Sequence, residues 1–254
     1  MHREQLSEEQ LKLLAEIVEG TYTIDENNRV DVEGNVNLNE KNLEGIPIQF
    51  RTVSGYFWCD KNQLTSLEWS PRKVGGSFTC SHNQLTSLEG VPKEVGKDFN
   101  CSGNKLTSLE HAPKEVGGYF SCSDNQLTSL EWSPRKVGGK FDCFNNQLTS
   151  LEGAPKEVVG SFRCNDNKLT SLEGAPKTVG KGFWCINNKL TSLEGAPKEV
   201  GGDFWCDDNK LTTLEGAPKT VGGDFNCTDN SNQFTEADVR KVSNVVGMLK
   251  LKAL

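Results

Sequence analysis

The chain contains no apolar run approaching the roughly 18 residues needed to cross a bilayer. Its opening residues, MHREQLSEEQ, offer no apolar core after a basic start, so neither a membrane span nor a secretory leader is expected. A basic excess is also missing. The formal net charge is -7, which argues against a partner held mainly through phosphates, because such partners need a basic face. Histidine is scarce, with only His2, His82 and His111 present, and none pairs with a nucleophile in a recognisable catalytic arrangement. No two cysteines lie within the two-to-four-residue spacing that metal sites favour. No phosphate-binding glycine loop stands out either, since the glycine pairs recur at a fixed interval and read as turn residues. These absences leave no catalytic residue, no metal and no cofactor to expect.

What is present is a period. Nine cysteines fall at 59, 80, 101, 122, 143, 164, 185, 206 and 227, each 21 residues after the last. Phe precedes each by two, from Phe57 to Phe225, and Asn follows each by three, from Asn62 to Asn230. Leu recurs five and eight residues after Cys, Pro twelve after it and Val fifteen after it. Phe-x-Cys buries alternate side chains, as a short strand does. The Asn–Leu step then turns inward, and Pro and the Gly pair bend the chain back. One coil cannot bury its own apolar side, so coils must stack, with their strands forming a parallel sheet at about 4.8 Å per coil.

The cysteines read as reduced, buried small hydrophobes rather than disulfides, because side chains in parallel register point the same way and an odd number leaves one over. The Asn row, also buried, needs partners, and backbone groups of neighbouring coils are the expected ones. Glu nine residues after Cys (Glu68 to Glu215) and Lys or Arg thirteen after it (Arg72 to Lys219) form two further rows. Each is expected to be solvated and partly neutralised by the other.

A degenerate first coil puts Val36 and Leu38 at the Phe and Cys positions, Leu43 and Ile46 at the Leu positions and Val53 at the Val position, with Lys41 where Asn is due. That makes about ten coils. SLEWSPRKVGG occurs at 66–76 and again at 129–139, three coils apart, so a three-coil block was duplicated. At the start, Ser7 reads as an N-cap with Gln10 completing a capping box and Leu6 stapling to Leu11. Leu11, Leu14, Ala15 and Val18 share one helix face, Gly20 ends the helix, and 21–32 read as a hairpin. At the end, Thr235 and Asp238 repeat that logic, and Val239, Val242 and Val246 continue at helical spacing. The expected organisation is 1–35 as a helix and hairpin cap, 36–230 as the solenoid and 231–254 as a helical cap. Six of the seven net negative charges lie in residues 1–56, which hold five Lys/Arg and eleven Asp/Glu.

The unit F-x-C-x-x-N-x-L-T-S-L-E-G-A-P-K resembles the leucine-rich repeat, with Phe and Cys in the strand positions. It is most similar to the short Cys-containing repeats encoded by tailed phages and some bacteria. It also resembles the repeats of secreted bacterial effector ligases, whose separate catalytic domain has no counterpart in this chain. The resemblance implies an α/β repeat class: a solenoid with its parallel sheet on the concave face and helical caps at both ends. It further implies a non-catalytic protein-binding scaffold in the cytoplasm, the host's if phage-encoded, with no membrane or nucleic-acid partner. The alternatives are a self-assembling or virion-associated structural protein and a carbohydrate-binding module.

Binding should use the positions that vary. Between Phe and Cys the row reads Trp58, Thr79, Asn100, Ser121, Asp142, Arg163, Trp184, Trp205 and Asn226. Trp58, Trp184 and Trp205, with Phe144 and Ile186 from the row after Cys, are the candidate anchors. Asp203, Asp207 and Asp208, with Asp224 and Asp229 near them, form an acidic surround suited to a basic protein surface. Trp69, His111 and Trp132, which replace a repeat Gly, form a second patch.

Overall fold

The computed structural model describes residues 5–251; His2 lies outside them. The chain is a solenoid of two-residue strands arranged in two ladders. In one, Val36, Phe57, Phe78 and each further repeat Phe pair in parallel, in register, as far as Phe225 and then Leu249. In the other, Val32, Val53, Val74 and each repeat Val pair likewise to Val245. Between the ladders lies the core, where repeat Phe, Cys, Leu and Val side chains are almost fully buried.

Identical residues at 21-residue spacing make identical contacts on every rung. Successive Phe rings stack with interplanar angles of 7–16° and centroids 5.2–5.8 Å apart between Phe57 and Phe204. Such offset pairs add to area burial. Each repeat Asn bonds across coils. For Asn125, Oδ1 accepts from Leu106 N at 3.0 Å while Nδ2 donates to Cys101 O, Cys122 O and Ser123 O at 3.1, 3.1 and 3.0 Å. The buried amide therefore ties two coils together with none of its groups idle. The cysteines are free and buried. Most donate Sγ–H to a carbonyl of the next coil, as Cys59 does to Thr79 O at 3.3 Å. Burial pushes their thiols up, that of Cys101 to about 12, so they pack rather than react.

Among the described residues the helices stand near the two ends, as expected, and the repeating coil itself holds none. Helix α1 (Glu8–Ile17) opens on the expected capping box between Ser7 and Gln10. Its buried face differs from the expected one. Leu14 and Ile17 are covered while Leu11 is 40% exposed, because Gln10 Nε2 donates to Pro47 O at 3.0 Å and fixes the helix's rotation. The helix stops at Ile17, not at Gly20, since Val18 is already extended. Strands β1 (Val18–Ile24) and β2 (Val30–Asn37) form an antiparallel hairpin. Gly20 and Gly34, directly opposed, both have φ of +140°, and a Cβ on either would sit within 2.2 Å of a carbonyl oxygen across the pair. Gly20 is thus the bend of a strand, and it lets the hairpin round the corner and seed both ladders.

At the far end the structure adds a coil. Helix α2 (Glu236–Val242) is capped by Thr235 and Asp238 as expected, but it is an insertion within a coil, and the helical reading of Val246 is wrong. After Ser243 the chain returns to the ladders, with Val245 beside Val221 and Leu249 beside Phe225, an interval of 24 residues instead of 21. Each ladder therefore has eleven rungs, one more than the spacing of Cys and Phe suggests. The sequence V-V-G-M-L-K-L (245–251) is the missed signal, with Leu249 and Leu251 in the Phe and Cys positions.

Candidate functional site

The row between Phe and Cys lines the outward side of the Phe ladder. Its aromatic members are neither adjacent as a set nor freely exposed. Trp58 lies near the hairpin, stacked on Tyr56 with centroids 3.6 Å apart and planes 12° apart. Tyr56 in turn donates its hydroxyl to Glu19 at 2.6 Å. Six rungs separate Trp58 from Trp184, about 29 Å at the usual strand spacing.

Trp184 and Trp205 do come together, on neighbouring rungs, with centroids 6.0 Å apart and planes at 65°. A cation covers each. The Arg163 guanidinium stands 4.4 Å from the Trp184 ring centre and Lys250 Nζ 4.9 Å from that of Trp205. The result is an Arg–Trp–Trp–Lys stack along rungs seven to eleven, held by cation–π attraction. Trp184 lies back over Gly182, where a Cβ would come within 2.8 Å of the ring. Lys250 could not be anticipated because it belongs to the coil the repeat pattern hides.

The acidic surround divides by role. Asp203 Oδ1 accepts from Asp224 N at 2.9 Å, and Asp224 Oδ1 from Met248 N at 2.9 Å. Both carboxylates therefore fasten backbone at the corner before Phe. Asp208 is exposed at φ 53°, as are Asp166, Asn187 and Asp229, which take the same left-handed turn in its row. Asn and Asp tolerate that conformation best after Gly, which explains the residue type locally. Asp207 differs. Burial holds its carboxyl above the usual carboxylate range, with like charge on Asp208 and Asp229 adding to the effect. Its Oδ1 has no hydrogen-bond partner, and neither do the indole nitrogens of Trp184 and Trp205. Ile186 and Phe144 flank the row half-buried, and Ile186 N donates to Asn165 Oδ1 at 3.2 Å.

The aromatics that stand clear of the surface are those of the second patch. Trp69 is 46% and Trp132 59% exposed, and with His111 they hold φ of 70–73° at a position where other coils have Gly. In both Trp coils a Ser hydroxyl reaches the carbonyl of the next coil's glycine, Ser70 to Gly90 and Ser133 to Gly153. A left-handed non-glycine backbone costs about 1–2 kcal/mol. Trp132→Gly is therefore expected to raise folding stability by about 1 kcal/mol, read as a higher urea midpoint with unchanged slope. A lower midpoint would mean the ring packs favourably in the isolated chain. The Glu and Lys/Arg rows do not neutralise each other as expected: among the described residues no ion pair includes a member of either row. Nor is there a cluster of His, Cys, Asp or Glu that could hold a metal among them, or a helix long and apolar enough to cross a membrane.

Parallel ladders, a buried Asn row and a 21-residue coil define a leucine-rich-repeat solenoid. No protein-family model and no curated protein matches the chain. Among solved structures it is similar to YopM from Yersinia enterocolitica WA-314, with 16% identity and a TM-score of 0.43 over 87% of this chain and 66% of that one. A likeness that remote says nothing of function.

Proposed function

We propose that this chain is a non-catalytic protein-binding scaffold whose partner docks on the outward side of the Phe ladder, centred on Trp184 and Trp205. One observation carries the reading. Two indole N–H groups and a desolvated Asp207 oxygen are left without partners on two adjacent rungs, although a buried unsatisfied polar group costs about 1–3 kcal/mol. A docked protein surface would complete them by shifting the rings, offering carbonyl or carboxylate acceptors to the two indoles and an N–H or O–H donor to Asp207, while its basic groups meet the exposed Asp208. Ile186 and Phe144 would add apolar contact on the flank, and Asp203 would act by holding the corner. Trp58 is too distant for a small epitope and would be reached only by a partner spanning most of the ladder.

The similarity of the repeat to Cys-containing repeats of phages and bacteria extends the proposal to its setting: a cytoplasmic protein, engaging a host or phage protein. The test is capture from a bacterial lysate by the wild-type chain and by a Trp184→Ala/Trp205→Ala variant, with folding of both checked by circular dichroism. Hot-spot aromatics are worth about 2 kcal/mol or more each, so the captured protein should be lost from the folded variant. Equal capture by both would sink the assignment to this row.

A further inference from the structure

The edge of the solenoid opposite the variable row carries two uninterrupted ladders of charge. Eight glutamates, from Glu68 to Glu215, and eight lysines or arginines, from Arg72 to Lys219, occupy consecutive coils and are all exposed. None of the sixteen takes part in an ion pair with another described residue. A row of Ser, Val or half-buried Ala followed by a buried Pro runs between them. Over the first coils a groove of about 1300 Å³ opens there, with Glu68 and Glu89 contributing to its lining along with Arg72, Lys93 and Lys114. Like charges stacked at about 4.8 Å repel, so both rows gain from an outside surface of opposite sign. A polyanion suits one row and is rejected by the other.

We propose that this edge is a homodimer interface: a second copy of the chain docks on it about a two-fold axis parallel to the solenoid. That operation keeps every rung at its own height and exchanges the two rows, so each copy's glutamates face the other's lysines and arginines. A two-fold axis across the solenoid would instead set glutamate on glutamate. Register over eight rungs demands a partner with the same rise per coil, and a second copy has it by construction.

The exposed tryptophans fit the same operation. Trp69 and Trp132 stand next to Glu68 and Glu131, and only their two coils carry Arg rather than Lys in the cation row, as Arg72 and Arg135. Within one chain neither guanidinium lies over its own coil's indole, and the cation–π contacts are elsewhere. In the dimer each indole comes opposite the arginine of the second copy on the same rung. Arg suits that contact better than Lys because its planar group stacks on a ring face. The left-handed backbone that lifts these rings into solvent is then set against burial in the interface.

Two full-length variants test this. One changes Arg72, Lys93, Lys114 and Arg135 to Glu, making both rows acidic over four coils; the other changes Glu68, Glu89, Glu110 and Glu131 to Lys, making both basic. These side chains are exposed and in no ion pair among the described residues, and circular dichroism verifies that both variants fold. Sedimentation equilibrium should find wild type dimeric at low salt and dissociating towards 1 M, where the screening length falls from about 10 Å at 0.1 M to about 3 Å. Each variant alone should be monomeric, and an equimolar mixture should restore a one-to-one dimer. The Trp184→Ala/Trp205→Ala variant should dimerise like wild type, which separates this interface from the proposed partner site. A wild type that stays monomeric at about 100 μM in low salt, variants that self-associate unchanged, or a mixture that fails to pair would each overturn the proposal.

Discussion

Phe141→Ala is expected to cost about 4 kcal/mol of folding free energy, the usual range for emptying a buried Phe site being about 3–5. The ring is fully buried on the sixth of eleven rungs. It stacks on Phe120 at 5.3 Å and on Phe162 at 5.2 Å, so its loss strips one face from two further rings. The neighbours cannot close the gap, because inter-coil backbone bonds such as Phe141 N to Ser161 O at 2.8 Å hold the rung spacing. Position adds a second effect. In a solenoid each coil touches only its neighbours, so cooperativity passes through every interface in turn. A weakened sixth rung should split urea unfolding, followed by far-UV circular dichroism, into two overlapping transitions. Phe225→Ala, one rung from the end, should lower only the terminal part. A single transition with an unchanged midpoint for Phe141→Ala would contradict the stacked-core account.

Asn125→Ala is the second large effect, with an expected loss of about 3 kcal/mol. No volume argument accounts for it, since the side chain is small. What is lost is partners for buried backbone: the Leu106 N–H and the carbonyls of Cys101, Cys122 and Ser123, each costing about 1 kcal/mol or more when unmade. The carboxylate of Asn125→Asp can still accept from Leu106 but cannot donate to carbonyls. That nearly isosteric change should therefore be at least as damaging as Ala, as measured by equilibrium denaturation. Near-neutral behaviour of either variant would mean that water replaces the amide and that the row is not a structural seam. Both predictions concern residues repeated on almost every rung, so a change elsewhere in the middle of the chain should behave alike.

Much of this was legible from spacing because the contacts that matter run from residue i to residue i+21. Phe on Phe, Val on Val, and Asn on the neighbouring Cys carbonyl all follow once coils stack in register. The end helices were readable for a different reason: Ser7–Gln10 and Thr235–Asp238 are local boxes that satisfy their own N–H groups. Gly20 misled because Gly ends helices and also permits tight strand bends, and only its opposition to Gly34 decides between them. The eleventh coil escaped because it has neither Phe nor Cys and follows an inserted helix that lengthens the interval. Ranking the aromatic rows also failed from sequence. Trp184 and Trp205 appear as open as Trp69 and Trp132 in a list of residues. The folded chain partly covers the first pair with its own Arg163 and Lys250 and leaves the second pair standing in solvent.

The amino-acid sequence by itself determined the coil, its repeat length, the Phe–Cys ladder and the capping boxes that start both helices. Each of these depends on a periodic apolar pattern or on hydrogen bonds within a few residues, and a period of 21 admits one register. Tertiary structure alone decided how many coils stand in the stack, which way each variable side chain lies, and which charges find a counter-charge. Those outcomes turn on side-chain direction across rungs, where Arg163 can choose a ring over a carboxylate and sixteen charges can share an edge unpaired. Spacing along a chain carries no record of that choice.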